Sequence, residues 1–163
     1  MRFTDVRDMA AAPEDVWEAL HDREVLRAAI PGCEHLRPLG TGEYAAVLAA
    51  RVGRLADTYR GSFSIADTVP GTALAVTVAG RGRCGTLEVD LHVRLDDGRR
   101  PGTTTLVYDA HARVGGLVAR LGRAPLTVAG GHITGCFFRD LERAMRTRSR
   151  RVGMVPTPLA TTA

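Results

Sequence analysis

Residues 86–96 read Thr-Leu-Glu-Val-Asp-Leu-His-Val-Arg-Leu-Asp, and apolar and polar side chains alternate through them without a break. Leucine or valine occupies every second position, and the positions between carry acids, a histidine and an arginine. Because successive side chains of a β-strand point to opposite faces, this period of two predicts a strand with one apolar and one polar face. Such a pattern is typical of an antiparallel sheet with one face in water.

The same alternation recurs through residues 33–114, in short runs separated by clusters of glycine, proline and aspartate. Tyr59, Phe63 and Ile65 share one face of such a run, and Tyr108 lies among alternating apolar residues in a later one. This arrangement predicts six strands joined by turns. Residues 2–9 form a seventh candidate, so we expect a seven-stranded antiparallel sheet.

Helical patterns flank the strands. Pro13 and the two acids that follow it suit the first turn of a helix, and a second short helix is predicted after Asp22, ending at Pro31. After Gly115 and Gly116 the apolar period becomes helical up to about Arg148. The predicted long C-terminal helix carries an apolar stripe of Leu117, Leu121, Val128, Phe137, Leu141 and Met145.

Two features oppose an unbroken C-terminal helix. Pro125 would cost about 3 kcal/mol in a helix interior, and each glycine of the Gly130-Gly131 pair about 1 kcal/mol relative to alanine. We therefore expect a break or kink near Pro125. Residues 152–163 have no charge and two prolines, so we expect one domain over residues 1–150 and a disordered tail over residues 151–163.

Composition fits one soluble domain: the chain has 163 residues, of which 45% are hydrophobic and 25% charged. It shows neither the apolar region of a secretory signal nor eighteen consecutive apolar residues, so we expect a cytoplasmic protein. The formal net charge of +4 lies in the C-terminal region, where six arginines face only two acids. They are Arg139, Arg143, Arg146, Arg148, Arg150 and Arg151. No aromatic residues interleave them, which disfavours nucleic acid as a partner.

The segment from Gly80 to Gly85 matches the pattern GxGxxG. A dinucleotide fingerprint needs a helix after these glycines, whereas the strand-forming residues 86–96 follow here. We therefore interpret the segment as a hairpin turn.

Polar groups that could carry chemistry are few. Asp57 is the one acid that alternation places on the apolar face, where a strand-end acid turned to solvent is more common than a pocket group. The five histidines show no spacing typical of zinc or non-haem iron. The sequence therefore predicts no metal site and no covalent cofactor.

Most of the aromatic residues fall on predicted apolar faces, and core packing alone is sufficient to explain that. A curved sheet with a helix across it also leaves a cavity, in which tyrosine hydroxyls orient an apolar ligand through hydrogen bonds. A separate strip of Ala45, Val47 and Ala49 lies on the face expected to contact water. Such a strip is typical of contact with a partner or with a second copy in a homodimer.

The order of one strand, two short helices, six strands and a long helix resembles the helix-grip fold, an α+β architecture also called START-like or Bet v 1-like. Four segments resemble the carbon monoxide dehydrogenase G-subunit family in particular. They are residues 11–20 (AAPEDVWEAL), 30–34 (IPGCE), 104–110 (TTLVYDA) and 114–122 (VGGLVARLG), followed by Phe137 and Phe138. The first is common among START-like proteins, whereas the second and fourth together are specific. The resemblance covers residues 2–145.

The resemblance implies an accessory protein rather than an enzyme, one that links a molybdenum hydroxylase of the carbon monoxide dehydrogenase type to the membrane and its quinone pool. A bound quinone or lipid is the expected ligand. We expect Gly115 and Gly116 to hinge the cavity entrance, and the six C-terminal arginines to contact an anionic membrane surface transiently or to contact a partner. The expected cavity lining is Tyr44, Leu48, Tyr59, Phe63, Leu91, Tyr108, Leu121 and Phe137.

Two alternatives remain open at this point. The fold also serves polyketide aromatases and cyclases, which need inward polar groups for proton chemistry, and this sequence offers only three tyrosines and Asp57. A ligand-free assembly factor would instead bind an acidic face of the hydroxylase through its C-terminal arginines.

Overall fold

A computed structural model describes residues 1–153. One sheet contains every strand, in the order β1-β7-β6-β5-β4-β3-β2, and all neighbours are antiparallel. The chain forms β1 (Arg2–Met9), α1 (Pro13–Leu20), α2 (Arg23–Ala29), β2 (Cys33–Gly40), β3 (Glu43–Val52), β4 (Leu55–Val69), β5 (Ala73–Arg81), β6 (Thr86–Asp97), β7 (Thr104–Gly115), a 3₁₀ turn (Val118–Leu121) and α3 (Arg123–Val152). This is the predicted α+β helix-grip architecture with its seven strands.

The two short helices begin where their sequences indicate. Pro13 is the first residue of α1, where its missing amide hydrogen costs nothing. Asp22 caps α2, because its carboxylate accepts hydrogen bonds from the amides of Glu24 (2.9 Å) and Val25 (3.2 Å). Both helices contribute buried residues to the core.

The break in the C-terminal helix lies three residues before the predicted position at Pro125. Gly122 lies between the 3₁₀ turn and α3, which begins at Arg123, and its φ of +85° favours glycine. Pro125 therefore lies in the first turn of α3, where amides have no intrahelical acceptor and proline is tolerated. Leu117 (50% exposed) and Val128 (73% exposed) are not part of a buried stripe as predicted. Leu117 lies before the break, and Val128 precedes Phe137 by about two and a half turns, which places it on the opposite face of α3.

The Gly130-Gly131 pair does not interrupt α3, which continues for 30 residues, about 45 Å. A Cβ on Gly130 would lie 2.6 Å from the Phe3 ring, so this glycine permits close packing of the helix on β1. The helix also includes Arg151 and Val152, two residues of the predicted tail. Residues 154–163 of that tail lie outside the described residues.

The tightest packing lies between one half of the sheet, α1 and the C-terminal part of α3. Met9, Val16 and Leu141 are at most 2% exposed there. Thr104 is fully buried, and its hydroxyl donates a hydrogen bond of 2.7 Å to the carbonyl of Ala11. This core anchors α1 and α3 to the sheet. We call the part of the sheet that it covers the closed half.

Candidate functional site

The inner face of the sheet changes from sealed to open along the strands. In the closed half, the inward side chains of Leu74, Val93, Leu95 and Leu106 are 1–8% exposed. Farther along, the row Ile65-Val76-Leu91-Ala110 consists of half-buried residues, and in the next row Phe63, Val78 and Val89 are half-buried as well. The two ends of that second row, Ala112 and Tyr44, which pairs with Phe63, are buried. Water therefore reaches apolar side chains that face inward, and we call this partly open space the cleft.

Two facing glycines form part of the cleft floor. Gly61 and Gly80 are paired across β4 and β5, and the same row continues through Ala46 and Leu87. A Cβ added to Gly80 would find its nearest neighbour, the carbonyl oxygen of Arg60, at 3.9 Å. The floor therefore has free space at Gly80, whereas a Cβ on Gly61 would collide with the carbonyl oxygen of Ala79.

The cleft opens toward the end of the sheet where β3, β5 and β7 terminate. Because neighbouring strands run in opposite directions, the β3–β4 turn (residues 53–54), the β5–β6 turn (residues 82–85) and the link to α3 (residues 116–123) all lie there. We call this end the mouth.

The eight residues expected to line the cavity separate into groups. Tyr44, Leu48 and Phe63 pack in a cluster beside α2 and β2, and the rings of Tyr44 and Phe63 stack at 5.0 Å. The second group, Leu91, Tyr108 and Phe137, packs with the main core. Tyr59 and Leu121 belong to neither cluster, and both are half-buried, Leu121 in the mouth itself.

Tyr44 and Tyr108 are 9% and 8% exposed, so they belong to the wall of the cleft and offer little accessible surface. The pattern of alternation did not single out Gly61, Gly80 or Phe138 for this site. Phe138 lies 5.7 Å from Tyr108 between ring centroids, and the Arg7 guanidinium lies over the Phe138 ring at 5.3 Å. Only the pairing register reveals the two glycines as neighbours.

The tyrosine hydroxyls of the cleft form no hydrogen bond with another residue within residues 1–153. Burial raises the pKa of Tyr59, and the nearby Asp57 carboxylate raises it further. The hydroxyl therefore remains protonated at neutral pH. It can donate a hydrogen bond to a carbonyl or ether oxygen of a bound molecule.

Asp57 is not turned to solvent, contrary to the sequence interpretation. Its side chain is 4% exposed, and its carboxylate accepts hydrogen bonds from the amides of Cys84 (2.6 Å) and Thr58 (2.8 Å). The hydrogen bond from Cys84 is the main reason that the pKa of Asp57 lies below its ordinary value. A Cβ on Gly82 would lie 2.3 Å from this carboxylate, so the turn needs glycine there. Asp57 therefore fastens the β5–β6 turn to β4.

The same turn also holds the link to α3. The amide of Val118 donates a hydrogen bond of 3.0 Å to the carbonyl of Cys84, and a Cβ on Gly116 would lie 2.7 Å from the Cα of Gly85. Gly116, of the predicted entrance hinge, thus permits close backbone contact with the turn, and a Cβ on its neighbour Gly115 would lie 2.6 Å from the hydroxyl of Thr86. The GxGxxG segment is a hairpin as predicted, with Gly80 and Arg81 still in β5.

Most of the six C-terminal arginines are paired with carboxylates, so they do not present a free basic surface. Arg139 and Arg143 contact Asp140 at 3.4 and 3.6 Å, and Arg146 contacts Glu142 at 3.9 Å. Arg148 lies 3.4 Å from Glu18 and 3.5 Å from Asp22, joining α3 to α1 and the cap of α2. Within residues 1–153, only Arg150 and Arg151 of the six have no carboxylate partner.

The apolar strip of Ala45, Val47 and Ala49 lies on the outer face of β3, as predicted. Ala45 and Val47 also line a groove of about 570 Å³, together with Arg37 and Arg60 and with Arg27 of α2. None of the described helices is long and apolar enough to cross a membrane.

The model of the carbon monoxide dehydrogenase G-subunit family (CoxG) matches residues 7–145. Among curated protein sequences, none matches the chain.

Several solved structures share the fold. A conserved protein from Geobacillus kaustophilus is 24% identical with a TM-score of 0.84, and the alignment covers 90% of this chain and 96% of that one. The Zhui aromatase/cyclase from Streptomyces sp. R1128 is 18% identical with a TM-score of 0.66, covering 95% and 99%. A START superfamily protein from Mycobacterium smegmatis is 12% identical with a TM-score of 0.62, covering 93% and 98%. These similarities establish a START-like fold for the chain.

Proposed function

Because the chain belongs to the carbon monoxide dehydrogenase G-subunit (CoxG) family, we propose that it is a non-enzymatic accessory protein that binds a long apolar molecule in the cleft. The ligand is an isoprenoid quinone or a lipid of similar shape. Its partner is a molybdenum hydroxylase, which the bound quinone connects to the membrane quinone pool.

The observation that carries the proposal is the open, apolar cleft with its glycine floor. Leaving apolar side chains half-buried forgoes roughly 25 cal/mol for every Å² that remains in water. A ligand that covered Val78, Val89 and Leu91 would recover this free energy. The Tyr59 hydroxyl supplies the single polar contact that orients a quinone carbonyl in such a site.

The proposal is tested by what accompanies the protein from its own host. Native mass spectrometry, followed by organic extraction, should show one isoprenoid quinone or lipid per chain. Gly80→Leu should abolish this retention, because the new side chain fills the floor where a Cβ has free space. Ala79→Leu is the matched control on the outer face of the same strand and should retain the ligand.

Far-UV circular dichroism of both variants separates a filled cleft from a misfolded chain. An empty wild-type protein that also fails to bind added quinone would contradict the proposal. So would equal retention by folded Gly80→Leu and wild-type protein.

We also propose that the cleft performs no reaction. Asp57, the one inward acid among the candidates, has its carboxylate engaged by the amides of Cys84 and Thr58 and is a poor general base. A cyclisation of a polyketide substrate that is lost in Tyr59→Phe would contradict this and favour an aromatase or cyclase.

The hydroxylase contact is tested separately from the ligand. Replacing Arg143, Arg146 and Arg150 by Glu reverses charge along one face of α3. If this face meets the hydroxylase, the variant should no longer co-purify with it. Unchanged recovery would remove these arginines from the interface.

A further inference from the structure

Two arginines oppose each other on the outer face of the sheet. Arg60 of β4 is paired directly with Arg81 of β5, and both are exposed. Like charges that lie directly opposite on neighbouring strands destabilise a sheet. Within residues 1–153, neither arginine has a carboxylate partner. The fold therefore concentrates positive charge here without compensating it.

Further positive charge lies beside this pair. The groove of about 570 Å³ is lined by Arg60, by Arg37 of the edge strand β2 and by Arg27 of α2, together with His35. Arg27 and Arg37 are exposed and, in the part of the chain that the structure describes, form no ion pair either. We call Arg27, Arg37, Arg60 and Arg81 the arginine stripe.

The side chains between these arginines are short and apolar. Ala45 is paired with Arg37, and Val47 is paired with Arg60, so both lie on the outer face among the guanidinium groups. Neither extends as far from the sheet as an arginine. A bound segment therefore has room to lie on the sheet, between the charged groups and against their aliphatic stems.

Few carboxylates lie near the arginine stripe. Residues 33–81 contain four acids, which are Glu34, Glu43, Asp57 and Asp67. Asp57 is bound to the amide of Cys84, and Asp67 lies 2.8 Å from the His21 ring of α1. Among the described residues, neither glutamate forms an ion pair. On the outer face of β6 and β7, by contrast, arginines are paired with acids.

The length of the arginine stripe fits an extended chain. Neighbouring strands are about 4.8 Å apart, so the backbones of Arg37 and Arg81 are separated by about 14 Å across the sheet. Alternate residues of an extended segment are about 7 Å apart, so three acids at alternate positions span the same distance. A single phosphate or carboxylate is too small to do so.

A protein fits this face better than a nucleic acid. The aromatic rings of β3 and β4, those of Tyr44, Tyr59 and Phe63, lie on the inner face, and β2 and β5 contain no phenylalanine, tyrosine or tryptophan. Single-stranded nucleic acids are bound largely by stacking of bases on such rings. The outer face offers charge and small apolar groups instead.

We propose that the outer face of β2–β5 docks an extended acidic segment of a partner protein, whose carboxylates pair with the arginine stripe. The docking goes beyond the proposed function, because it needs neither the cleft nor a ligand. The strand arginines lie on the opposite face of the sheet from the cleft, so the two proposals fail independently.

Fluorescence anisotropy with a labelled peptide of alternating Glu and Thr tests the docking at low ionic strength. The full-length protein should bind this peptide saturably, and the same peptide with Gln in place of Glu should not bind. Replacing Arg37 and Arg60 together by Gln should weaken binding by about tenfold, since an exposed ion pair contributes up to about fivefold. Absence of saturable binding to wild-type protein would overturn the proposal.

The matched variant replaces Arg99 and Arg100 by Gln and changes the net charge equally. Both lie in the β6–β7 turn, are exposed and have no ion-pair partner within residues 1–153. This variant should bind the peptide as tightly as wild type, within about twofold. Equal losses in the two double variants would mean that only net charge matters, and would overturn the proposal.

Backbone NMR of the wild-type protein locates the contact without any substitution. Adding the acidic peptide should shift the amides of residues 35–37, 45–47 and 60–62, and leave those of residues 104–109 in β7 unmoved. Shifts confined to α3 or to the mouth would contradict the proposal. A thymidine oligonucleotide that bound more tightly than the peptide, and lost affinity when Arg37 and Arg60 were replaced, would assign the face to nucleic acid instead.

Discussion

Leu91 and Leu95 offer a direct comparison of the cleft with the closed half, because both point inward from β6 and only Val93 lies between them on that face. Leu95 is 4% exposed within the core, so Leu95→Ala should destabilise the protein by about 2–5 kcal/mol, through lost burial and the cavity left behind. Leu91 packs against the same core but is only half-buried, so its replacement removes less buried surface. We expect Leu91→Ala to cost about 1–1.5 kcal/mol.

Urea unfolding of delipidated protein, followed by far-UV circular dichroism, measures both losses. The two variants should unfold with the same dependence on urea concentration, so that the difference between their urea midpoints reports the difference in free energy of unfolding. Equal losses for the two variants, within about 0.5 kcal/mol, would show that the cleft is packed like the core and would refute the reasoning.

Other predictions concern α3, the contact between Asp57 and the β5–β6 turn, and the buried hydroxyl of Thr104. Gly131→Ala should stabilise by up to about 1 kcal/mol because its Cβ meets open space, whereas Gly130→Ala should gain less or lose stability against the Phe3 ring; thermal melts of the pair would decide. Because the pKa of Asp57 is lowered in the folded state, its stabilisation is present above about pH 4 and lost as pH falls through the lowered value. Asp57→Asn should therefore show a smaller drop in urea midpoint on acidification than wild type. Thr104→Val should cost about 1–3 kcal/mol in the same unfolding assay at neutral pH, since it leaves a buried carbonyl without its donor.

Strand alternation and helix signals were sufficient to predict the architecture. The period of two in β6 and the proline at the start of α1 are local properties, and the structure has each element where they indicate. The position of the helix break was less predictable. A proline in the sequence is compatible with a kinked helix interior and with the first turn of a helix. Only the left-handed φ of Gly122 shows that Pro125 lies in a first turn.

The site depended on contacts that no local pattern contains. Asp57 meets Cys84 across 27 residues, and Gly61 faces Gly80 only through the register of β4 with β5. The arginine cluster at the end of α3 was visible as composition, but its acidic partners on α1 and α2 come from distant sequence. Long-range pairing, not residue type, therefore decides which polar groups remain available.

A methyl-group NMR titration with a short-chain isoprenoid quinone tests the central claim most directly. We expect saturable shifts at one quinone per chain, concentrated on the methyl groups of Val78, Val89 and Leu91, with those of Val93 and Leu106 in the closed half almost unmoved. Shifts that do not saturate, or that spread over the outer face and leave the cleft methyl groups unchanged, would contradict the account.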